Sequence, residues 1–194
     1  MKKRLFTVIF IFLISPLYLL AIEPDVFVQS TVNRASKLLS DNITKEQKIK
    51  KLKIIAKETV DIRGIGFYSL GAARKNLNTE DKKEFEILFE QYFLKSFSSR
   101  LAEYTNPEIE VNSKEILDKN YTIVSSVLKE TKERPEIKID WRIYTKDPEN
   151  PLIRDLVIEG LSLARTQKEE FASVLNSNDG DIKALFETLK NFSN

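Results

Sequence analysis

The spacing of apolar residues changes from about 3.6 to 2 at Pro107, and this change constrains the fold more than any other feature of the chain. Before it, the range 79–105 has the i, i+3, i+4, i+7 pattern of one long amphipathic helix. The apolar positions of this helix are Phe85, Leu88, Phe89, Tyr92, Phe93, Phe97, Leu101 and Tyr104. After it, apolar and polar residues alternate between turn signals, which predicts four strands at 109–117, 121–131, 137–145 and 152–163.

Helical patterns also occur at both ends of the chain. Thr44 and Gln47 have the spacing of a capping box at the start of one of these helices, and Asn78 or Thr79 is expected to cap the long helix. The remaining predicted helices and one short glycine-containing element span 25–39, 44–60, 62–76, 164–175 and 181–192. Because the connections between strands are short, neighbouring strands are expected to be antiparallel. The prediction is an α+β fold, a four-stranded antiparallel sheet packed against a layer of several helices.

The third predicted strand defines which side of the sheet is buried. Ile139, Trp141 and Ile143 share one face, while Asp140 and Arg142 share the other. We expect the apolar face to point toward the long helix and Arg142 to point away from it.

The N-terminus has the pattern of an export signal. Lys2, Lys3 and Arg4 precede an apolar run that ends at Ala21, which predicts a signal peptide over residues 1–21 that is cleaved, with a single domain over 22–194. An uncleaved anchor is the alternative, because the apolar run is close to the minimum needed to cross a bilayer. The formal net charge of +2 includes the three charges of this segment, so the rest of the chain is nearly neutral. Such a chain lacks the basic footprint that nucleic acid requires.

The composition offers little for catalysis. The chain contains no histidine and no cysteine, so the usual general base, nucleophile and soft metal ligands are missing, and no catalytic or metal site is predicted. Asp140 and Asp155 lie on adjacent predicted strands, where we favour solvation or pairing with Arg142 and Arg154 over a paired-carboxylate site. Glu159 flanks the bend at Gly160, and we favour a backbone hydrogen-bonding role for it.

The second helix carries a cluster of lysines. A basic amphipathic helix is able to bind an anionic lipid surface or an acidic partner, but a solvated outer face is more common and is the interpretation we favour. The cluster comprises Lys45, Lys48, Lys50, Lys51, Lys53 and Lys57.

Several motifs in order resemble the MlaC or toluene-tolerance family. The range 157–163, Val-Ile-Glu-Gly-Leu-Ser-Leu, is followed by a polar helical turn and Phe171, as in that family. The range 60–71, the Thr79–Glu80 start of the long helix, the Ile-Asp-Trp-Arg sequence at 139–142 and the closing segment from Gly180 also resemble family motifs. The chain departs from the family at Pro151, Arg154, Gln167 and the range 72–75, where members usually have aromatic residues.

The resemblance implies a periplasmic phospholipid carrier and not an enzyme. Members hold acyl chains in an apolar pocket between sheet and helices and leave the headgroup outside. They shuttle lipid between an inner-membrane ABC-type transport complex and an outer-membrane lipoprotein partner, which maintains outer-membrane lipid asymmetry. By this resemblance we expect no cofactor besides the phospholipid cargo, and a monomer.

The residues expected to line the pocket come from the long helix, the strands and the bend after them. They are Phe67, Leu70, Phe93, Phe97, Leu101, Trp141, Leu156, Ile158, Leu161 and Leu163. Leu161→Trp is predicted to lower bound lipid at nearly unchanged stability, because filling a pocket is tolerated better than overpacking a core. Two alternatives stay open: a ligand-free periplasmic adaptor of similar fold, and an acid–base hydrolase that uses Asp140, Asp155 or Glu159.

Overall fold

Six α-helices and a five-stranded sheet form the computed structural model, which describes residues 21–193. The signal peptide predicted for 1–21 lies outside the described residues except for Ala21. The helices are α1 (Pro24–Ser40), α2 (Lys45–Thr59), α3 (Ile62–Ser69), α4 (Thr79–Leu101), α5 (Leu163–Asn176) and α6 (Ile182–Ser193), with a 3-10 helix at Ala73–Lys75. The strands are β1 (Ile109–Asp118), β2 (Tyr121–Leu128), β3 (Ile137–Tyr144), β4 (Leu152–Ile158) and β5 (Leu161–Ser162). None of the described helices combines the length and apolar content needed to cross a bilayer.

The sheet is an antiparallel meander in the order β1-β2-β3-β4-β5. The α+β prediction is confirmed, with one difference at the end of the sheet. Instead of one strand over 152–163, the chain turns at Glu159 and Gly160, whose φ angles are 48° and 82°, and returns as β5 beside β4. This turn explains why five strands are found where four were predicted.

The register of β3 is the predicted one. Ile139, Trp141 and Ile143 are buried toward the helices, and Arg142 lies on the other face opposite Asp155. A bulge in β4 follows from this pairing: Arg142 pairs with Asp155, but Ile143 pairs with Ile153, so Arg154 is the extra residue. The helices pack around this sheet, with α1 on β1 and β2, α3 and α5 on β4, and α4 against α2, α3 and α6.

Side-chain caps define where the helices begin. The Thr44 side chain accepts the N–H of Gln47 while the Gln47 side chain accepts the N–H of Thr44, which confirms the capping box of α2. Asn78 caps α4 by accepting the N–H of Asp81 at 2.8 Å. Ser162 caps α5 in the same way through Arg165, so the last residue of β5 also starts the next helix.

The main core forms around the N-terminal half of α4. Phe85 and Phe89 are almost fully buried and pack against Phe171 of α5, with Phe186 of α6 beside Phe85. Gly66 of α3 lies against the Phe89 ring so closely that an added Cβ would be 2.7 Å from Cδ1. This close approach explains why position 66 is a glycine, although glycine destabilises a helix relative to alanine.

Candidate functional site

The C-terminal half of α4 borders an apolar cavity that separates it from α5 and the sheet. We call this space of about 170 Å³ the α4–α5 cavity. Phe93 and Phe97 of α4 line one side, and Trp141 and Leu156 of the sheet line another. Leu163 and Ala164, at the start of α5, close it from the third side.

A second apolar cavity of about 140 Å³ lies between α1, α2 and the sheet, and we call it the α1–α2 cavity. Leu101 from the end of α4 and Ile158 from the end of β4 contribute to its walls. Its lining is almost entirely apolar and contains no charged side chain. Such a surface suits hydrocarbon and offers no anchor for an ion.

One set of side chains separates the two cavities. The residues that line both are Val60, Phe97, Trp141, Ile153 and Leu156. We call this set the shared wall. The bulge at Arg154 matters here, because it lets Ile153 and Leu156 face the helices although they are three positions apart.

Trp141 is held in the shared wall by a hydrogen bond. Its indole N–H donates to Ser126 Oγ at 2.8 Å, and the Ser126 hydroxyl donates to the carbonyl of Ile139 at 3.2 Å. The polar atom of the tryptophan is therefore satisfied by the sheet, and the ring presents apolar surface to both cavities.

Polar residues lie at one side of the α4–α5 cavity. The Tyr92 hydroxyl donates to Gln167 Oε1 at 2.9 Å, and Gln167 Nε2 donates to Glu170 at 2.9 Å. All three residues and Arg100 line the cavity. Burial raises the pKa of the half-buried Tyr92 hydroxyl. Gln167 thus joins α5 to α4 through a hydrogen bond.

Seven of the ten residues predicted to line a pocket border one of these cavities or both. They are Phe93, Phe97, Leu101, Trp141, Leu156, Ile158 and Leu163. Leu70 is instead a buried core residue, and Phe67 packs against Phe85 and lines a different cleft beside α3.

The expected position of Leu161 at the base of the helix layer is wrong. Its side chain is 59% exposed and borders neither cavity. The cause is the turn at Glu159 and Gly160, which reverses the chain and places Leu161 on the edge strand β5. The prediction that Leu161→Trp lowers bound lipid assumed that Leu161 lines the pocket, so it no longer holds.

Sequence reasoning missed several cavity residues that are brought in by long-range pairing. Val60 ends α2 and forms a parallel bridge with Ile153, where the N–H of Asp61 also donates to the Ile153 carbonyl at 2.9 Å. No local sequence pattern predicts the bridge between Val60 and Ile153, because the two residues are far apart in the chain. Ala164 lies two residues after the capping Ser162, and its N–H donates to Asp155 Oδ1 at 2.9 Å, which places it beside β4.

The carboxylates considered for catalysis have structural partners. Asp155 is 4% exposed and accepts hydrogen bonds from Ser162 Oγ at 2.6 Å and the Ala164 N–H at 2.9 Å, which fixes α5 onto β4. Asp140 accepts from Ser125 and lies opposite Val157, so the two aspartates do not face each other. Glu159 accepts the N–H of Lys138, the backbone role we favoured. Within residues 21–193 no three carboxylates are placed to hold a metal ion.

The lysines of α2 are partly committed to ion pairs and a helix end. Lys45 pairs with Glu103 and Lys57 pairs with Glu90, while Lys48 donates to the carbonyl of Leu39. These contacts tie α2 to α1 and α4, which fits the solvated outer face that we favoured.

Comparison with known proteins gives a family match and matches among solved structures. Residues 29–191 match the family described as MlaC protein. Among solved structures, the chain is similar to the phospholipid-binding protein from Ralstonia solanacearum in complex with a phospholipid, with a TM-score of 0.74 and 18% sequence identity. That alignment covers 89% of this chain and 97% of the other, and it establishes a shared fold. No curated protein matches the sequence.

Proposed function

Because the chain belongs to the MlaC family, we propose that this protein binds phospholipid and holds the acyl chains in its two apolar cavities. The observation that carries the proposal is the pair of cavities on either side of Trp141, enclosed by helices and sheet and lined mainly by apolar side chains. Each CH₂ group removed from water contributes about 0.8 kcal/mol, so acyl chains bind such a space without a charged anchor. The shared fold with a protein whose structure contains a phospholipid supports the same class of ligand.

The size of the cavities implies that the shared wall moves when lipid enters. An engineered cavity of about 150 Å³ accommodates a molecule the size of benzene. Each cavity here is of that order, and an acyl chain is several times larger. We propose that Phe97 and Leu156, both only partly buried, shift so that the two cavities become one continuous space.

We further propose that the protein is a carrier in the periplasm, exported by its N-terminal signal. It would take lipid from one membrane complex and deliver it to another, with an inner-membrane ABC-type complex and an outer-membrane lipoprotein as partners. The nearly neutral chain beyond the signal supports release from anionic membrane surfaces. A monomer without a cofactor or catalytic activity is sufficient for this role.

The decisive test is lipid analysis of the purified protein and two tryptophan variants. Leu156→Trp adds volume to the shared wall, and we expect it to reduce co-purifying phospholipid several-fold, with a loss of stability within the range of about 1–3 kcal/mol for added core volume. Leu161→Trp is the matched control, because Leu161 is exposed and borders neither cavity. Native mass spectrometry of both variants and the wild type measures the bound lipid.

Two results would contradict the proposal. A wild-type protein that never carries stoichiometric phospholipid, even after incubation with vesicles, would favour the ligand-free adaptor. Equal loss of lipid in both variants would show that the cavities are not where the lipid binds.

Trp141 provides an independent readout, since it is the single tryptophan of the chain and lies in the shared wall. We expect its fluorescence to change in emission maximum or intensity when lipid is removed, because the ring contacts both cavities. An identical spectrum in lipid-loaded and lipid-free protein would argue against movement of the shared wall.

A further inference from the structure

A cleft of about 560 Å³ lies beside α3, on the far side of β4 from the α1–α2 cavity. Four arginines line it, Arg63, Arg74, Arg142 and Arg154, and we call it the arginine cleft. Asp118 and Asp155 are the carboxylates in its lining. Arg154 and Arg63 pair with Asp61 and Glu86 outside this lining, so the guanidinium donors least committed to ion pairs are those of Arg142 and Arg74.

Arg154 is a fixed part of the cleft wall. Its Nε donates to Asp61 Oδ2 at 2.6 Å and its Nη1 donates to the Tyr121 hydroxyl at 2.6 Å. The guanidinium carbon also lies 3.5 Å from the centre of the Tyr144 ring. Burial works against the charge of Arg154, but the contacts with Tyr121 and Asp61 raise its pKa above the usual value. The group therefore stays protonated, with the Asp61 carboxylate as its ion-pair partner.

Arg142 is less well neutralised. Its Nε is buried and has no hydrogen-bond partner among the described residues. Its Nη1 is 3.9 Å from Asp155 Oδ2, at the limit of an ion pair. Asp155 already accepts hydrogen bonds from Ser162 and Ala164, so much of its capacity is directed away from Arg142.

The two arginines on the opposite side of the cleft also keep donors available. Arg63 donates through Nε to Glu86 at 3.0 Å, and its guanidinium lies over the Phe67 ring. Within residues 21–193, Arg74 has no carboxylate within ion-pair distance, although it is one of the cleft's four cations. Arg74 thus forms no ion pair that stabilises the described part of the fold.

We propose that the arginine cleft binds a phosphate group. The planar guanidinium fork donates two parallel hydrogen bonds to a phosphate, and several arginines around one anion are the usual means of recognising it. A bound phosphate would supply the missing acceptor near Arg142 Nε and a counter-charge for Arg74. This inference depends only on the cleft and does not require lipid in the cavities.

The phosphate has two possible sources because the cleft and the α4–α5 cavity share a boundary. Ile65, Asp155 and Ala164 line both spaces. A lipid with its chains in the cavity is able to place its headgroup phosphate in the cleft if α3 and α5 separate slightly at this boundary. A small phosphorylated compound is able to reach the same arginines from solvent.

The test is calorimetric titration of the purified protein with inorganic phosphate and with glycerophosphoglycerol at constant ionic strength. We expect saturable binding of at least one of them, weakened about tenfold or more by Arg74→Gln. Arg142→Gln serves as a second variant. Arg34→Gln is the matched control, since Arg34 is an exposed arginine of α1 that pairs with Glu58 far from the cleft, and binding should be unchanged in it.

Lipid-loaded and lipid-free protein distinguish the two sources. If the headgroup occupies the cleft, lipid removal uncovers phosphate binding and Arg74→Gln shifts the ³¹P resonance of the bound lipid. If the ligand is a separate compound, both forms bind it equally. Either pattern supports the phosphate site.

Three results would overturn the proposed phosphate site. They are no saturable binding of either phosphate compound by the lipid-free wild type, binding by Arg74→Gln as tight as that of the wild type, or binding of succinate as tight as that of the phosphate compounds. Co-purifying lipid is measured for the same variants. If the purified protein carried no lipid, only the proposed carrier function would be contradicted. The titration would still show whether the arginine cleft binds phosphate.

Discussion

The two halves of α4 carry the same aromatic stripe but have different surroundings. In the N-terminal half, Phe85 and Phe89 are buried on all sides by other aromatic rings. In the C-terminal half, Phe93 and Phe97 stack on each other with ring centres 5.4 Å apart, yet both are partly exposed and line the α4–α5 cavity. A periodic apolar stripe therefore specifies which side of a helix faces inward, but not whether that side meets a filled core or a cavity.

The partners of each half explain the contrast. The N-terminal half meets α3, α5 and α6, and Gly66 brings the α3 backbone directly against Phe89. The C-terminal half borders the α4–α5 cavity, which has Trp141 and Leu156 of the sheet on its other side, next to the bulge of β4 at Arg154. The helices around the sheet are held apart there, and the cavities form in the gap. We infer that the N-terminal half supplies stability so that the C-terminal half can remain loosely packed for a ligand.

The largest expected effect is a difference in the stability lost when a phenylalanine is removed from each half of α4. Phe85→Ala should lower the free energy of unfolding by about 3–5 kcal/mol, because it leaves a void in a filled aromatic core. Phe97→Ala should cost less, about 1.5–3 kcal/mol, since it loses the burial of a partly exposed ring and adds little new void. Denaturant unfolding of both variants measures the difference.

Lipid analysis of the same variants is the control for this comparison. Phe85→Ala should leave bound lipid per folded molecule unchanged, whereas Phe97→Ala removes part of the shared wall and should alter it. Equal stability losses together with equal lipid content would show that the two halves do not differ in function.

Much of the fold follows from the sequence because it is specified locally. The Thr44–Gln47 capping box, the Asn78 cap and the alternation that buries Trp141 each depend on residues a few positions apart. Alternation along the strands predicted Trp141, Leu156 and Ile158 as pocket residues, and helical spacing predicted Phe93, Phe97 and Leu101; all six border a cavity.

The errors have non-local or unusual backbone causes. Leu161 was misplaced because Glu159 adopts a positive φ of 48°, which is uncommon for a residue with a Cβ and lacks the Asn-Gly signature of a tight turn. Ile153 was missed because the bulge at Arg154 breaks simple alternation. The four arginines of the cleft come from α3, the 3-10 helix, β3 and β4, so no single sequence segment predicts the cleft.

A smaller effect tests the close packing of the N-terminal half. Gly66→Ala places a Cβ 2.7 Å from the Phe89 ring, which is held by neighbouring aromatic residues and has little room to move. We expect a net loss of stability, because overpacking costs about 1–3 kcal/mol and the better helix propensity of alanine returns up to about 1 kcal/mol. The double variant Gly66→Ala/Phe89→Leu should lose less stability than the sum of the two single losses, because the smaller side chain leaves room for the added Cβ. Strictly additive losses in thermal and urea unfolding would show that the Phe89 ring does not clash with the Cβ.

The smallest effect concerns Tyr92, which lies where the core half of α4 meets the cavity half. Burial raises the pKa of its hydroxyl in the folded protein, so the folded state keeps this proton to a higher pH than the unfolded state does. The stabilisation is fully present below about pH 10, the usual tyrosine pKa, and is lost as the pH rises through the folded value. Relative to Tyr92→Phe, which cannot ionise, the wild type should lose stability above that pH, as measured by urea unfolding at pH 7, 9 and 10.5. Tyr68→Phe is the control, because Tyr68 is an exposed residue of α3 that borders neither the α4–α5 cavity nor the α1–α2 cavity. If the stability of wild type and Tyr92→Phe changed in parallel over this range, the Tyr92 hydroxyl would be as solvated as an exposed one, and the boundary between the packed and open halves of α4 would lie before Tyr92.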